Sequence, residues 1–113
     1  MPRREEAIPR PTPRTPYRIL AITSQVRDDW NVLLSARLGV MIRCWDHLAH
    51  SPTEPIGGRY TRLKGDQSWC EFRAQRLPQW QYEIDRRARV KIGVGEDFVV
   101  AVSVSSGHPK DTE

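Results

Sequence analysis

The sequence predicts an α+β domain: one strand and a helical hairpin, followed by a mainly antiparallel sheet. Three observations predict it. Apolar residues recur at helical spacing between Val26 and Leu48, whereas from Trp80 onward they alternate with polar ones at strand spacing. The helical stretch comes as one block, which suits helices grouped on one face of an antiparallel sheet. The length, 113 residues, supports one two-layer core and not two.

In order, residues 1–16 read as a tail that holds five of the nine prolines and four arginines. Proline at 9, 11, 13 and 16 opposes both helix and ladder, leaving extended coil that is either solvated or a basic arm for a partner. The domain is expected over 17–113. Residues 17–22 are apolar enough for a first strand. Thr23 and Ser24 then offer a helix cap, with Asp28 and Asp29 near the first turn. Val26, Trp30, Leu33 and Leu34 make the stripe of a first helix ending near Gly39. A second helix, 40–49, carries Met41, Cys44, Trp45 and Leu48 as its core stripe and stops before Ser51-Pro52. Residues 53–58 form a loop, 59–64 a strand, Gly65-Asp66 a turn and 69–73 a further strand. The segment 75–78 reads as a connection.

The strands 80–84 and 89–92 organise the rest. Trp80, Tyr82, Ile84, Val90, Ile92 and Val94 share one face, a core beneath the helices; Gln81, Glu83, Arg89 and Lys91 share the other. A last strand from Phe98 to Ser105 is expected to put Val100, Val102 and Val104 on the core face. It leads into Gly107-His108-Pro109-Lys110. The polar face is therefore the place to look for function.

Composition narrows the classes. Eighteen Lys+Arg against fourteen Asp+Glu give +4, which favours a polyanionic partner. No apolar run reaches the ~20 residues of a membrane helix, and the N-terminus has no apolar signal core. Cys44 and Cys70 read as reduced cytosolic thiols. Two cysteines and three histidines without paired spacing give no metal site.

Four motifs mark the C-terminal half: Leu63-Lys64-Gly65, Trp80-Gln81-Tyr82-Glu83, Arg89-Val90 and Gly107-His108-Pro109-Lys110. With the strand and helical hairpin before them, they make the chain from Tyr17 to Lys110 resemble the RelE/ParE toxin superfamily, in particular an actinobacterial branch ending in Gly-His-Pro-Lys. The resemblance implies a two-layer RelE-like fold, with the N-terminal strand and helical hairpin packed on a curved sheet. It implies a cytoplasmic type II toxin held by a cognate antitoxin. RelE-like members are metal-independent endonucleases that cut mRNA on the ribosome and need no cofactor. ParE-like members share the fold and poison DNA gyrase. A non-toxic interaction module on the same fold is the third class.

Metal-free RNA cleavage needs a base for the 2′-hydroxyl, cations for the dianionic transition state and an acid for the departing 5′-oxygen. By resemblance, Arg89 clamps the phosphate, Lys64 is a second cation and His108 is the acid. Glu83, on the same face, is either the base or an ion-pair partner of Arg89 or Lys91. Lys91, Arg62, Arg73 and Lys110 are expected phosphate contacts. Glu83 and Ile92 depart from the nuclease pattern, which has an arginine and a tyrosine near those places. His47 and His50 read as solvated, and Arg86 and Arg87 as a hairpin tip.

Overall fold

The computed structural model describes residues 15–106 together with Ile8. The chain runs β1 (Arg18–Ala21), α1 (Ser24–Ala36), α2 (Leu38–His50), β2 (Tyr60–Arg62), β3 (Trp69–Phe72), β4 (Gln75–Glu83), β5 (Arg89–Val94) and β6 (Phe98–Ser105). One turn of 3-10 helix, Gly65–Gln67, separates β2 from β3. Two helices thus accompany a six-stranded, mainly antiparallel sheet of order β1-β6-β5-β4-β2, and the fold is α+β. β1 and β6 pair in parallel; β3 pairs with the first half of β4, and β2 with its second half. Among the described residues no helix is long and apolar enough to cross a membrane. The predicted tail lies outside the described residues except for exposed Ile8 and residues 15–16.

Local chemistry explains the helices. Thr23 is extended, and its Oγ1 accepts the Val26 N–H at 3.1 Å, the expected cap. Asp28 and Asp29 fall beyond the first turn, where Asp29 accepts from Gln25 and Asp28 lies 3.6 Å from Arg27. Arg37 alone joins the helices, so α2 starts two residues earlier than its apolar stripe suggests. Met41, Cys44 and Leu48 are completely buried, but Trp45 is 45% exposed. It stands about 100° round the helix from Cys44. That places it at the margin of the core, beside β1. Burial pushes the Cys44 thiol up to about 12, the behaviour of a small apolar side chain.

The main core lies between the helices and one sheet face, joining Leu33, Met41, Cys44 and Leu48 to Trp80, Tyr82, Ile84, Val90 and Ile92. The partition of Glu83, Arg89 and Lys91 to the opposite face follows from strand parity, as expected. The last strand departs from expectation. Lys91 pairs with Ser103 but Ile92 with Ala101, so Val102 is an extra residue in β6. Val99, Ala101 and Val104 consequently join the helix-side core, while Val100 and Val102 face the other way.

A second apolar cluster receives them: Leu77, Phe98 and Val100, with Leu20, Ile22, Cys70, Phe72 and Val102 against it. Its lid is the hairpin of β3 and the first half of β4. Residues 75–78, expected as a connection, belong to this nine-residue strand. Pro78 is tolerated there because pairing with β5 begins only at Gln79, so Pro78 has a strand partner on one side only, Trp69. The arm approaches the sheet so closely that a Cβ at Gly93 would lie 2.5 Å from Cys70 Sγ. Its tip, Arg73-Ala74, is a two-residue turn with positive φ at both residues (53° and 64°) and no glycine.

Candidate functional site

The arm covers only part of the outer sheet face. Beyond Gln79 the face is polar, and among the described residues no strand or helix covers it. Two adjacent rows cross it: Thr61, Gln81, Lys91 and Ser103 in one, Glu83, Arg89 and Ser105 in the next. Directly opposed residues on one face lie about 5 Å apart at Cβ. Strand geometry therefore gathers a carboxylate, a guanidinium and an ammonium with no help from the loops.

The partners of these groups differ in kind. Arg89 is half-buried; its Nη1 donates to the carbonyls of Asp85, Arg86 and Ala88 at 2.9, 3.1 and 3.4 Å. Its Nη2 lies 3.9 Å from Glu83 Oε2. The guanidinium thus closes the β4–β5 turn, and one arm of its fork is already engaged. Lys91 Nζ donates to Gln67 Oε1 at 2.6 Å, a neutral partner that a phosphate would displace at small cost.

Gln67 and Gln79 are functional neighbours that the sequence reading missed. Gln79, 7% exposed, donates from Nε2 to the Gln67 carbonyl at 2.8 Å and from its backbone to Ser68. It fixes the 3-10 turn that presents the Gln67 amide to Lys91. The signal was available, since Gln79 continues the odd-numbered polar parity of Gln81 and Glu83.

Asp85 was missed as well. Its Oδ1 accepts the Arg87 and Ala88 N–H groups at 2.8 and 2.7 Å, and its Oδ2 meets Arg37 Nε at 2.9 Å. Those backbone bonds, then the Arg37 guanidinium, lower the carboxyl to about 2. The link ties the helix–helix junction to the turn that also holds Arg89.

The other predicted residues are scattered. Lys64 is exposed and leads into the 3-10 turn, and the ion pairs found among the described residues do not include it. Arg62 donates to the Ser68 carbonyl at 2.7 Å and lies 4.9 Å over the Trp69 ring, which Arg76 also covers at 4.7 Å. It braces the β2–β3 junction and does not share the face of Glu83, because it pairs with core-facing Trp80. Arg73 lies over Phe72 at the arm tip. His108 and Lys110 lie outside the described residues. His47 is not simply solvated: it is half-buried, stacks edge-on against Tyr60 at 4.9 Å and bonds the Glu54 carbonyl at 2.8 Å. His50 bonds the Asp46 carbonyl one turn back, closing its own helix.

No protein-family model, no curated protein and no solved structure matches this chain. The site is accordingly interpreted from its own chemistry. An open strip holding one carboxylate, one partly engaged guanidinium and one readily released ammonium can take up a phosphodiester and hold a base beside it. Of the two cations, Lys91 is the more readily released to an anion, since its partner is a neutral amide.

Proposed function

We propose that this chain is a toxin of the RelE/ParE kind that cleaves mRNA on the ribosome without a metal ion, using the open half of its sheet. The observation that carries the reading is the adjacency of Glu83, Arg89 and Lys91 on the sheet face opposite the helices, in the half of the chain that bears the four motifs. In the reaction Glu83 takes the 2′-hydroxyl proton as that oxygen attacks phosphorus. Lys91 and the Nη2 side of Arg89, which faces Glu83, hold the charge gathering on the phosphoryl oxygens. The P–O5′ bond then breaks, and His108 supplies the proton to the departing 5′-oxygen, leaving a cyclic 2′,3′-phosphate. A cognate antitoxin, an mRNA on the ribosome and a cytoplasmic location belong to the same reading.

One observation favours a second reading. The Arg89 fork donates to three turn carbonyls, an arrangement that serves structure without any nuclease role. On that reading the chain is a ParE-like, non-nucleolytic toxin directed at gyrase. Induced expression separates the two. The nuclease reading expects growth arrest with new mRNA 5′ ends by primer extension, lost in Glu83→Gln and His108→Gln. Arrest with intact mRNA and an induced DNA-damage response would replace it with the gyrase reading. Undisturbed growth would remove both in favour of an interaction module.

A further inference from the structure

Two tyrosines pair across β2 and β4 on the helix side of the sheet, their ring centroids 5.6 Å apart, and their hydroxyls differ. Tyr60 donates to the Pro52 carbonyl at 2.6 Å. Tyr82 is 3% exposed, yet its hydroxyl joins no hydrogen bond among the described residues. A buried phenol ordinarily finds a partner. The Tyr82 hydroxyl is also not an enclosed unpaired atom, a condition that among the described residues belongs to Arg62 Nε. It opens instead onto a cavity of about 520 Å³ that Tyr82 lines.

Two guanidinium groups line the same cavity, Arg43 from α2 and Arg59 from the loop before β2. Arg59 Nη1 donates to the carbonyls of Glu83 and Ile84 at 3.0 and 3.3 Å, which anchors the side chain and leaves Nε and Nη2 without a partner among the described residues. Arg43 forms no ion pair among them. Both charges are felt at the Tyr82 hydroxyl: burial and the neighbouring Cys44 raise its pKa, while Arg59 and Arg43 lower it. His47 completes the wall, its Nε2 held by the Glu54 carbonyl at 2.8 Å. The exposed Asp46 adds one carboxylate, which no described cation pairs. Two guanidinium forks beside a phenol donor suit the oxygens of a dianionic phosphate. Asp46 repels a bare anion but accepts from a hydroxyl carried next to it, so the composition favours a phosphomonoester of a hydroxylated molecule. The volume is in the range of small-molecule sites.

We propose that this cavity binds a small sugar or nucleoside monophosphate, with Arg43, Arg59 and the Tyr82 hydroxyl on the phosphate oxygens and Asp46 accepting from a sugar hydroxyl. Tyr82 and Glu83 are successive residues of β4 and project to opposite faces of the sheet. The site therefore lies behind the strip of Glu83, Arg89 and Lys91 and does not rest on the reaction proposed above.

The test titrates the full chain with ribose 5-phosphate, adenosine 5′-monophosphate and inorganic phosphate in a calorimeter. Ribose 5-phosphate should bind saturably and more tightly than inorganic phosphate. A further gain with the adenosine compound would assign the site to nucleotides, and a loss would assign it to sugar phosphates. Tyr82→Phe should weaken ribose 5-phosphate binding roughly tenfold or more, the worth of a hydrogen bond to a charged group. Its unfolding midpoint should stay unchanged, because the hydroxyl has no internal partner to lose. Arg43→Gln, at an exposed position, should weaken binding as much without touching the fold. Asp46→Asn should tighten inorganic phosphate and narrow the gap between it and ribose 5-phosphate. Lys91→Ala, on the other face, should leave binding as it is. Absence of saturable binding at millimolar ribose 5-phosphate would overturn the proposal, as would Tyr82→Phe and Arg43→Gln variants that bind like wild type. Loss of binding in Lys91→Ala would place the anion on the opposite face and overturn it too. Inorganic phosphate binding as tightly as ribose 5-phosphate would remove the sugar and the role of Asp46.

Discussion

Gly93→Ala is expected to destabilise the domain, and the size of the effect follows from how the arm lies on β5. A Cβ at position 93 would sit 2.5 Å from Cys70 Sγ and 3.2 Å from both Cβ and Cδ1 of Leu77. Comfortable contact begins near 3.5 Å, so the arm must lift by about 1 Å at this point. Leu77, on the inner side of the arm, is almost completely buried, and lifting would open the small cluster it shares with Phe98 and Val100. Overpacking of this kind costs about 1–3 kcal/mol, roughly 4–12 °C of unfolding midpoint for a domain of this size. Cys70→Ala removes the nearest atom and, at a half-buried position, should cost about 1 kcal/mol or less alone. The double variant should then be more stable than the sum of the singles by about 1 kcal/mol. Urea and thermal unfolding of the four proteins measure the cycle. A Gly93→Ala variant indistinguishable from wild type, or a strictly additive cycle, would show that the arm does not rest on β5.

Four further outcomes are expected. Arg89→Ala should lose about 1–2 kcal/mol because three turn carbonyls lose a charged donor. Lys91→Ala should stay within about 0.5 kcal/mol of wild type, which makes it the cleaner probe of RNA binding by filter or mobility assay. Asp85 has a folded pKa of about 2, below the unfolded value near 3.9. Its contribution is therefore complete above about pH 4 and lost as pH falls through about 2, and Asp85→Asn should flatten acid unfolding over that window. Replacing Arg73-Ala74 by Asn-Gly suits the positive φ at both positions and should raise the unfolding midpoint by about 1 kcal/mol equivalent, read by calorimetry.

Much of the fold was legible because period alone decides which face a residue takes. The β4–β5 pair shows this: Glu83, Arg89 and Lys91 stand opposite the helices as their parity requires. The last strand was misread because a bulge is a one-residue event that leaves an alternating pattern looking intact. Val102 is apolar on either reading, and only the pairing of Ser103 with Lys91 and of Ala101 with Ile92 reveals the shift. The arm was hidden by Pro78, which argues against a strand unless one neighbour is missing there. Trp45 was assigned to the core on hydrophobicity, although a helix margin beside an open edge accommodates an indole equally well. At the site, the sequence placed the charges and offered the Glu83–Arg89 pair, but not their neutral partners. Carbonyls of a turn and a glutamine two dozen residues away leave no trace in spacing.

Those partners change what a basic composition means. The excess of Lys+Arg over Asp+Glu is +4, yet several cations serve the fold. Arg37 meets Asp85, Arg62 braces Ser68 and Trp69, Arg59 donates to the carbonyls of Glu83 and Ile84, and Arg89 closes its turn. A guanidinium donating to carbonyls keeps its charge but loses free donors, so it contributes field without a ready contact. Lys91 differs because its partner is a neutral side-chain amide, which gives way to an anion without leaving a buried charge behind. Gln67 is in turn held by Gln79 through the backbone, so displacing its side chain need not disturb the 3-10 turn. Gln67→Ala should therefore free Lys91 without loosening the sheet, and RNA affinity should rise slightly or hold. A marked fall in affinity would mean that the amide itself contacts the nucleic acid.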